Sequence, residues 1–270
     1  MKKGICKLTG EKGTFVKAHI VPAALTTLDG TGPLTQGGRG RRPIKRWSSW
    51  YDPCLVTQSG EAILAEYDSW AIAELRRNKL IWSSWGPMLR LATSDFKKFD
   101  AAWGHRSVSG IDFNRLRMFF LSLLWRAAET DRFEFSAIKL DNSDLDRLRS
   151  MVLTGNAEPI EFYPITLIQF STRDFEHNFS ASAEVKTNPA IEEVPARTIP
   201  HFRFYFDGLI AHIHREAAGQ LDDTIIGARP KLLVTTVAFE GSYQFGKLMA
   251  AMTQADNFLS KQNGEPDRPI

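Results

Sequence analysis

His19, Asp52 and Glu61 are the residues whose types and spacing could do chemistry. His19 closes the run Thr14-Phe15-Val16-Lys17-Ala18-His19-Ile20-Val21, which stops at Pro22. That run is β-branched and weakly alternating, so a strand is expected, with the histidine near its end. Asp52 opens a second short apolar run through Leu55 and Val56, and Glu61 stands at the head of a helical pattern. Between them, residues 29–46 carry five glycines and the cations Arg39, Arg41, Arg42, Lys45 and Arg46. An imidazole at a strand end can take a proton from water. A carboxylate on a facing helix can hold a divalent ion that polarises a phosphate. Glycine-flanked guanidinium groups are free to follow a phosphate backbone. Each residue also has a plainer role. His19 can be a hydrogen-bonded strand residue, Glu61 a favourable charge on the helix dipole, and Asp52, beside Pro53, a turn residue.

The elements that would position these groups follow from periodicity. Residues 4–9 and Thr14 to Ile20 form an expected hairpin through Gly10-Glu11-Lys12-Gly13, and residues 29–46 an expected loop. Glu61 to Lys79 has Ile63, Leu64, Tyr67, Trp70, Ala71 and Leu75 at helical spacing. Asp68 lies two turns after Glu61, on nearly the same helix face. A domain boundary is expected in about 86–110, where the pattern turns polar. Ile111 to Ala128 is the strongest helix, apolar nearly all round from Met118 to Trp125, and should be buried. Asp141-Asn142-Ser143 can cap a further helix to Leu153. Strands are expected at Tyr163 to Phe170, Phe202 to Phe206, Leu209 to His214 and Leu232 to Phe239. Residues 172–200 read as a polar excursion, and a closing helix follows Gly241.

The chain of 270 residues is 43% hydrophobic and 24% charged, as ordinary globular proteins are. It is long enough to bury a core without disulfide or metal. No apolar run approaches the ~20 residues that span a bilayer, and Met1-Lys2-Lys3-Gly4-Ile5-Cys6 lacks a signal-peptide core. Without such a run no membrane partner is expected, and Cys6 and Cys54 make no disulfide framework, so a reducing cytoplasm is expected. The net charge of +3 is uneven. Residues 1–50 hold ten Lys/Arg against Glu11 and Asp29, net +8, leaving −5 for the rest. That asymmetry points to a polyanionic partner on the N-terminal side.

Three stretches resemble HNH endonuclease-like proteins: Cys6-Lys7-Leu8-Thr9, Lys17-Ala18-His19-Ile20-Val21-Pro22, and Tyr51-Asp52-Pro53-Cys54-Leu55-Val56-Thr57-Gln58-Ser59-Gly60-Glu61. Phe120 to Ala128, Phe133 to Ser136 and Leu148 to Gly155 look like the downstream helical part of a bacterial or phage group of such proteins. The resemblance covers about residues 4–155. It implies an α+β fold, with an HNH-like treble-clef (ββα) unit at 1–95. A mixed domain with a buried helix and an antiparallel sheet, its role unknown, would follow at 96–270. It implies a divalent-metal-dependent DNA endonuclease hydrolysing phosphodiesters. His19 would be the base, Asp52 the orienting residue or second ligand, and Glu61 a ligand for Mg²⁺ or Mn²⁺. Arg39, Arg41, Arg42, Lys45 and Arg46 would contact DNA. The family's four zinc cysteines fall at Cys6, Thr9, Thr57 and Gly60, so no structural zinc is expected. The acidic ligand that often precedes the histidine is Ala18 here. The alternative implied is a catalytically inactive nucleic-acid-binding or assembly protein of a bacterial or phage system.

Two further patterns stand outside this frame. His212 and His214 share one face of an expected strand, a metal-ligand pair with no third ligand at suitable spacing nearby. Gly241-x-x-x-x-Gly246-Lys247 has phosphate-loop spacing, but Leu248 follows where a hydroxyl is needed, and Tyr243 and Phe245 are bulky.

Overall fold

A computed structural model describes residues 2–26, 34–38, 41–46, 49–188, 197–216 and 221–262. The first elements are small. Strands β1 (Lys3–Ile5) and β2 (Lys12–Thr14) form the expected hairpin, and β3 is Ala18–His19. Strands β4 (Leu34–Gly38) and β5 (Arg41–Arg46) follow, then β6 (Tyr51–Asp52) and helix α1 (Gln58–Arg77). Beyond lie β7 (Lys97–Lys98), β8 (Trp103–Ser109), α2 (Phe113–Glu129) and α3 (Asn142–Thr154). The chain then gives β9 (Ile165–Phe170), β10 (His177–Asn188), β11 (Arg197–Phe206), β12 (Leu209–His214), β13 (Lys231–Val237) and α4 (Tyr243–Gln262).

The class is α+β. Nine strands form one sheet in the order β5-β4-β10-β11-β12-β9-β13-β8-β7. It is mixed, not purely antiparallel: β10 pairs β4 and β13 pairs β9 in parallel. The segment expected as a loop, 29–46, contains the β4–β5 hairpin, which forms one edge of this sheet. The segment expected as a boundary contributes β7 and β8 at the other edge. Charge on an outermost strand discourages pairing with further chains, so basic β5 suits that position. The polar excursion 172–200 holds the first residues of β11 and the whole of β10. Its alternation, Phe179-Ser180-Ala181-Ser182-Ala183-Glu184-Val185, is real, but alanine makes it weakly apolar.

Helix α2 is the mast. Asp112 caps it, its side chain accepting from Arg115 N at 3.1 Å, and Leu116 through Ala127 are all buried. One face meets the sheet, with Phe119 and Phe120 against Phe206 of β11 at 6.4 and 6.3 Å between rings. Helices α1 and α3 pack on other faces of α2. One continuous core therefore runs from Cys6 and Leu8 through α1 and α2 to Val234 of β13. Near its start, Arg117 of α2 is fully buried, and its guanidinium donates to the carbonyls of Ala157, Tyr163, Pro159 and Phe162. Such complete pairing makes a buried charge tolerable. Among the described residues, no helix is long and apolar enough to cross a membrane.

Candidate active site

The unit around His19 is stitched from two antiparallel segments. Phe15 bridges Thr57, Val16 N donates to Val56 O, Ala18 pairs Asp52, His19 pairs Tyr51, and Ile20 N donates to Trp50 O. Ser49 Oγ closes the end on Val21 O at 2.8 Å. Residues 14–21 and 49–57 thus lie side by side, and α1 starts directly after. Alternation sends Ala18 and Ile20 into the core and leaves His19, half-buried, on the other face. Tyr51 shares that face, its ring 6.4 Å from the imidazole and edge-on, with Lys17 Nζ 4.6 Å from the Tyr51 ring centre.

Arg126, from the far end of α2, organises the region. Its side chain is 1% exposed and forks onto Asp68 of α1, with Nη1 to Oδ2 at 2.9 Å and Nη2 to Oδ1 at 2.6 Å. Nη1 also donates to the carbonyl of His19 at 3.0 Å, and Nη2 to Ser122 Oγ at 3.0 Å. One guanidinium therefore ties the histidine strand to α1 and α2. Sequence reasoning placed Arg126 only in a family-like stretch. Its signal is a cation that follows the apolar run Met118 to Trp125 and, like Arg117 before that run, must find a buried partner.

Glu61 sits one turn into α1, half-buried. Burial pushes its carboxyl up to about 7. Arg126 opposes that rise and Asp68 adds to it. His19 moves the other way. Burial lowers its pKa, Arg126 and Lys17 lower it further, and Asp68 partly offsets them, so the ring is neutral at neutral pH. Both groups feel the same Arg126–Asp68 pair, which places them in one electrostatic neighbourhood. No hydrogen bond to the Glu61 carboxylate is made among the described residues.

Asp52 differs from expectation. The register sets it opposite Ala18, on the buried face, away from His19. Its Oδ2 accepts from Thr130 Oγ1 at 2.6 Å and its Oδ1 from Cys54 N at 2.8 Å. It holds the β6–α1 turn and the end of α2 together. Asp68, in turn, spends both oxygens on Arg126. Among the described residues, no group of three or more His, Cys, Asp or Glu is arranged to hold a metal ion.

The four positions matched to zinc cysteines come together. Cys6 is buried, and its Sγ accepts from Thr9 N at 3.4 Å. Burial raises the thiol, but hydrogen bonds from Thr9 and Thr57 outweigh it and hold its pKa below the ordinary value. A Cβ on Gly60 would lie 2.6 Å from Cys6 Sγ. The Cys6 sulfur and the threonine side chains fill the space here, and Gly60, lacking a Cβ, leaves room for that sulfur. Cys54 is elsewhere, its Sγ 3.5 Å from Lys2 Nζ.

Of the basic set, Arg39 lies outside the described residues. Arg41, Arg42, Lys45 and Arg46 belong to β5, where Lys45 is exposed. Trp50 is buried, 5.7 Å from Phe135. The Gly241-to-Lys247 segment forms no phosphate cradle, since Gly246 and Lys247 lie inside α4 and Lys247 Nζ pairs with Glu184 at 2.8 Å. Comparison with protein-family models, with curated proteins and with solved structures gives no match.

Proposed function

We propose that this protein is a degenerate HNH-like, divalent-metal-dependent DNA endonuclease, with a ββα unit of treble-clef type built from β3, β6 and α1. The observation that carries the reading is the convergence of Cys6, Thr9, Thr57 and Gly60 on one buried spot. These positions are split between two segments about fifty residues apart, and they were matched to the family's metal cluster from sequence alone. A fold that once closed on zinc, and now closes on packing, accounts for that convergence.

In this reading His19 is the general base. Its neutral ring on the open face of β3 can accept a proton from a water in line with a scissile phosphate. Arg126 positions it by holding its carbonyl, and Asp52 by fixing β6, whose Tyr51 packs against the ring. Glu61 fits Mg²⁺ or Mn²⁺: it is a half-buried carboxylate with no hydrogen-bond partner among the described residues, and a hard cation stabilises its charged form. A bound divalent ion polarises the phosphate and stabilises the leaving oxygen. Asp52 fits the ligand role poorly, because both its oxygens are engaged. Lys45 and its β5 neighbours offer an edge that a phosphate backbone can track.

The alternative is an inactive protein that keeps the fold and binds nucleic acid or assembles with partners. The locking of Asp68 by Arg126 and of Asp52 by Thr130 favours it, since Glu61 is then a single ligand. The test is supercoiled plasmid with Mg²⁺ or Mn²⁺, the wild type beside His19→Ala. Nicking lost in the variant supports the enzyme. Absence of nicking, with DNA binding that weakens as salt rises, supports the alternative. Neither nicking nor binding removes both.

A further inference from the structure

The sheet has a second histidine cluster, which the strand pairing assembles. On β11, alternation sends Phe202, Phe204 and Phe206 to the α2 side, and His201, Arg203 and Tyr205 to the other. The register pairs His201 with His214 and Arg203 with His212 of β12. His201 thereby joins the pair that sequence spacing left without a third member. Ring centres lie 4.3 Å apart for His201 and His212, 5.8 Å for His201 and His214, and 6.3 Å for His212 and His214.

Two of the rings are each held through one nitrogen, which leaves the other nitrogen without a partner. His201 Nδ1 lies 3.2 Å from the carbonyl of Ile199, which can only accept, so Nδ1 carries the proton and Nε2 has a free lone pair. His214 Nε2 lies 3.1 Å from Thr166 Oγ1 of β9. His201 Nε2 and His214 Nδ1 are both buried and have no hydrogen-bond partner. His201 is 4% and His214 8% exposed. Buried polar atoms are rarely left unpaired, and here two lone-pair candidates occur in one cluster. A ring nitrogen bound on one side by a carbonyl or hydroxyl is the usual support of a metal-bound histidine.

We propose that His201, His212 and His214 bind one first-row transition ion of the zinc class. Imidazole suits Zn²⁺, Ni²⁺ or Cu²⁺ and does not suit Mg²⁺, so this site is distinct from the one proposed at Glu61. Zn–N bonds of about 2.0–2.1 Å in tetrahedral geometry put ring centres about 5 Å apart. The three separations straddle that figure. The rings do not yet converge on a common point, so small side-chain rotations must complete the site. His212, the one member of the three that is not fully buried, is the way in.

The surrounding charges shape the ligand set. Arg203 of β11 is buried, with Nε 4.0 Å from Glu184 of β10, and Glu184 also holds Lys247 of α4. Exposed Lys186 of β10 adds positive charge, and Tyr243 of α4 lies over Arg203 at 5.8 Å. Repulsion from Arg203 weakens cation binding. It also favours an anion, hydroxide or chloride for example, in the open fourth position.

The test uses chelator-stripped full-length protein titrated with Zn²⁺ or Co²⁺ alone. One ion per chain is expected, with Co²⁺ giving tetrahedral absorption and X-ray absorption reporting three imidazoles. His212→Gln should abolish the bands. Thr166→Val, which touches the ligand's support and no metal, should weaken affinity by about 10- to 100-fold. His105→Ala, near the far edge of the sheet, should bind as the wild type does. The X-ray absorption readout needs no variant, so a variant that fails to fold does not rescue the idea. Absence of a bound ion, unchanged binding in His212→Gln, or a thiolate-to-cobalt band from Cys6 would overturn it.

Discussion

His19 and the β11–β12 histidines are the same side chain in two opposed settings. Around His19 the neighbours are charged, and the charges are paired: Arg126 forks onto Asp68, and Glu61 lies within reach of both fields. On the sheet face the neighbours are other imidazoles, His201, His212 and His214, beside a buried Arg203 whose Nε lies 4.0 Å from Glu184. The first region solves its burial problem with an ion pair, the second by leaving its rings neutral. Burial lowers the pKa of every one of these rings, yet the two regions should respond to mutation and to pH in different ways.

The largest expected effect breaks the first region alone. Arg126→Ala strands Asp68 and frees the His19 carbonyl, and removing one partner of a buried pair costs about 3–5 kcal/mol. Urea unfolding measures it. A cost near zero would mean that the pair is not what holds α1 to β3.

Acid should test the sheet side. His177, stacked on Tyr205 at 4.6 Å on that same face, has its pKa lowered by burial to about 4. The unfolded chain takes up a proton near 6.5 and the folded chain does not. Its stabilisation is therefore full above pH 6.5 and is lost as pH falls toward 4, by about 3 kcal/mol. His177→Gln should remove one ring's share of that acid slope, leaving the share of His201, His212 and His214, whose pKa values burial also lowers; an unchanged slope would count against the burial of His177.

Crowding at Cys6 comes next. Gly60→Ala sets a Cβ against Cys6 Sγ and Val56, and overpacking of this kind costs about 1–3 kcal/mol. Pairing it with Cys6→Ala should recover part of the loss, as a double-mutant cycle would show. If Gly60→Ala is neutral, the close approach of α1 to the Cys6 turn is not a constraint.

The smallest effect has the opposite sign to the acid window. Glu61 is raised to about 7 in the folded chain from about 4.5, so the folded state holds a proton that the unfolded state has lost. Its contribution is greatest below pH 4.5 and falls as pH rises to 7, by about 1 kcal/mol once its partial exposure is allowed for. Glu61→Gln should remove that slope. Added Mg²⁺ should lower the Glu61 pKa if the carboxylate is a ligand. An unchanged titration in Mg²⁺ would count against the metal role.

Local pattern carried much of the fold. Helices α1, α2 and α3 follow from apolar spacing, because a helix must hide its stripe whatever it packs against, whereas of their N-caps only Asp112 of α2 makes a side-chain hydrogen bond. Strand β12 is where alternation put it. Strands β5 and β10 escaped, since one is edge and basic and the other relies on alanine and serine. Both are strands because of what they pair with. The parallel pairing of β4 with β10 has no local signal at all. In the candidate site, the His19 strand and the Glu61 helix were legible as motifs. The face on which Asp52 would point was not, because a two-residue ladder sets it and a one-residue slip reverses it.

By itself the sequence determined helices α1, α2 and α3 and the strand that ends in His19. Those are local or short-range consequences of spacing, size and backbone chemistry. Only the tertiary structure decided that Arg126 closes on Asp68 and His19, that Asp52 serves the turn, and that His201 stands beside His212 and His214. Each of these joins groups from different elements, and no periodicity within one element can specify the register or packing that brings them into contact.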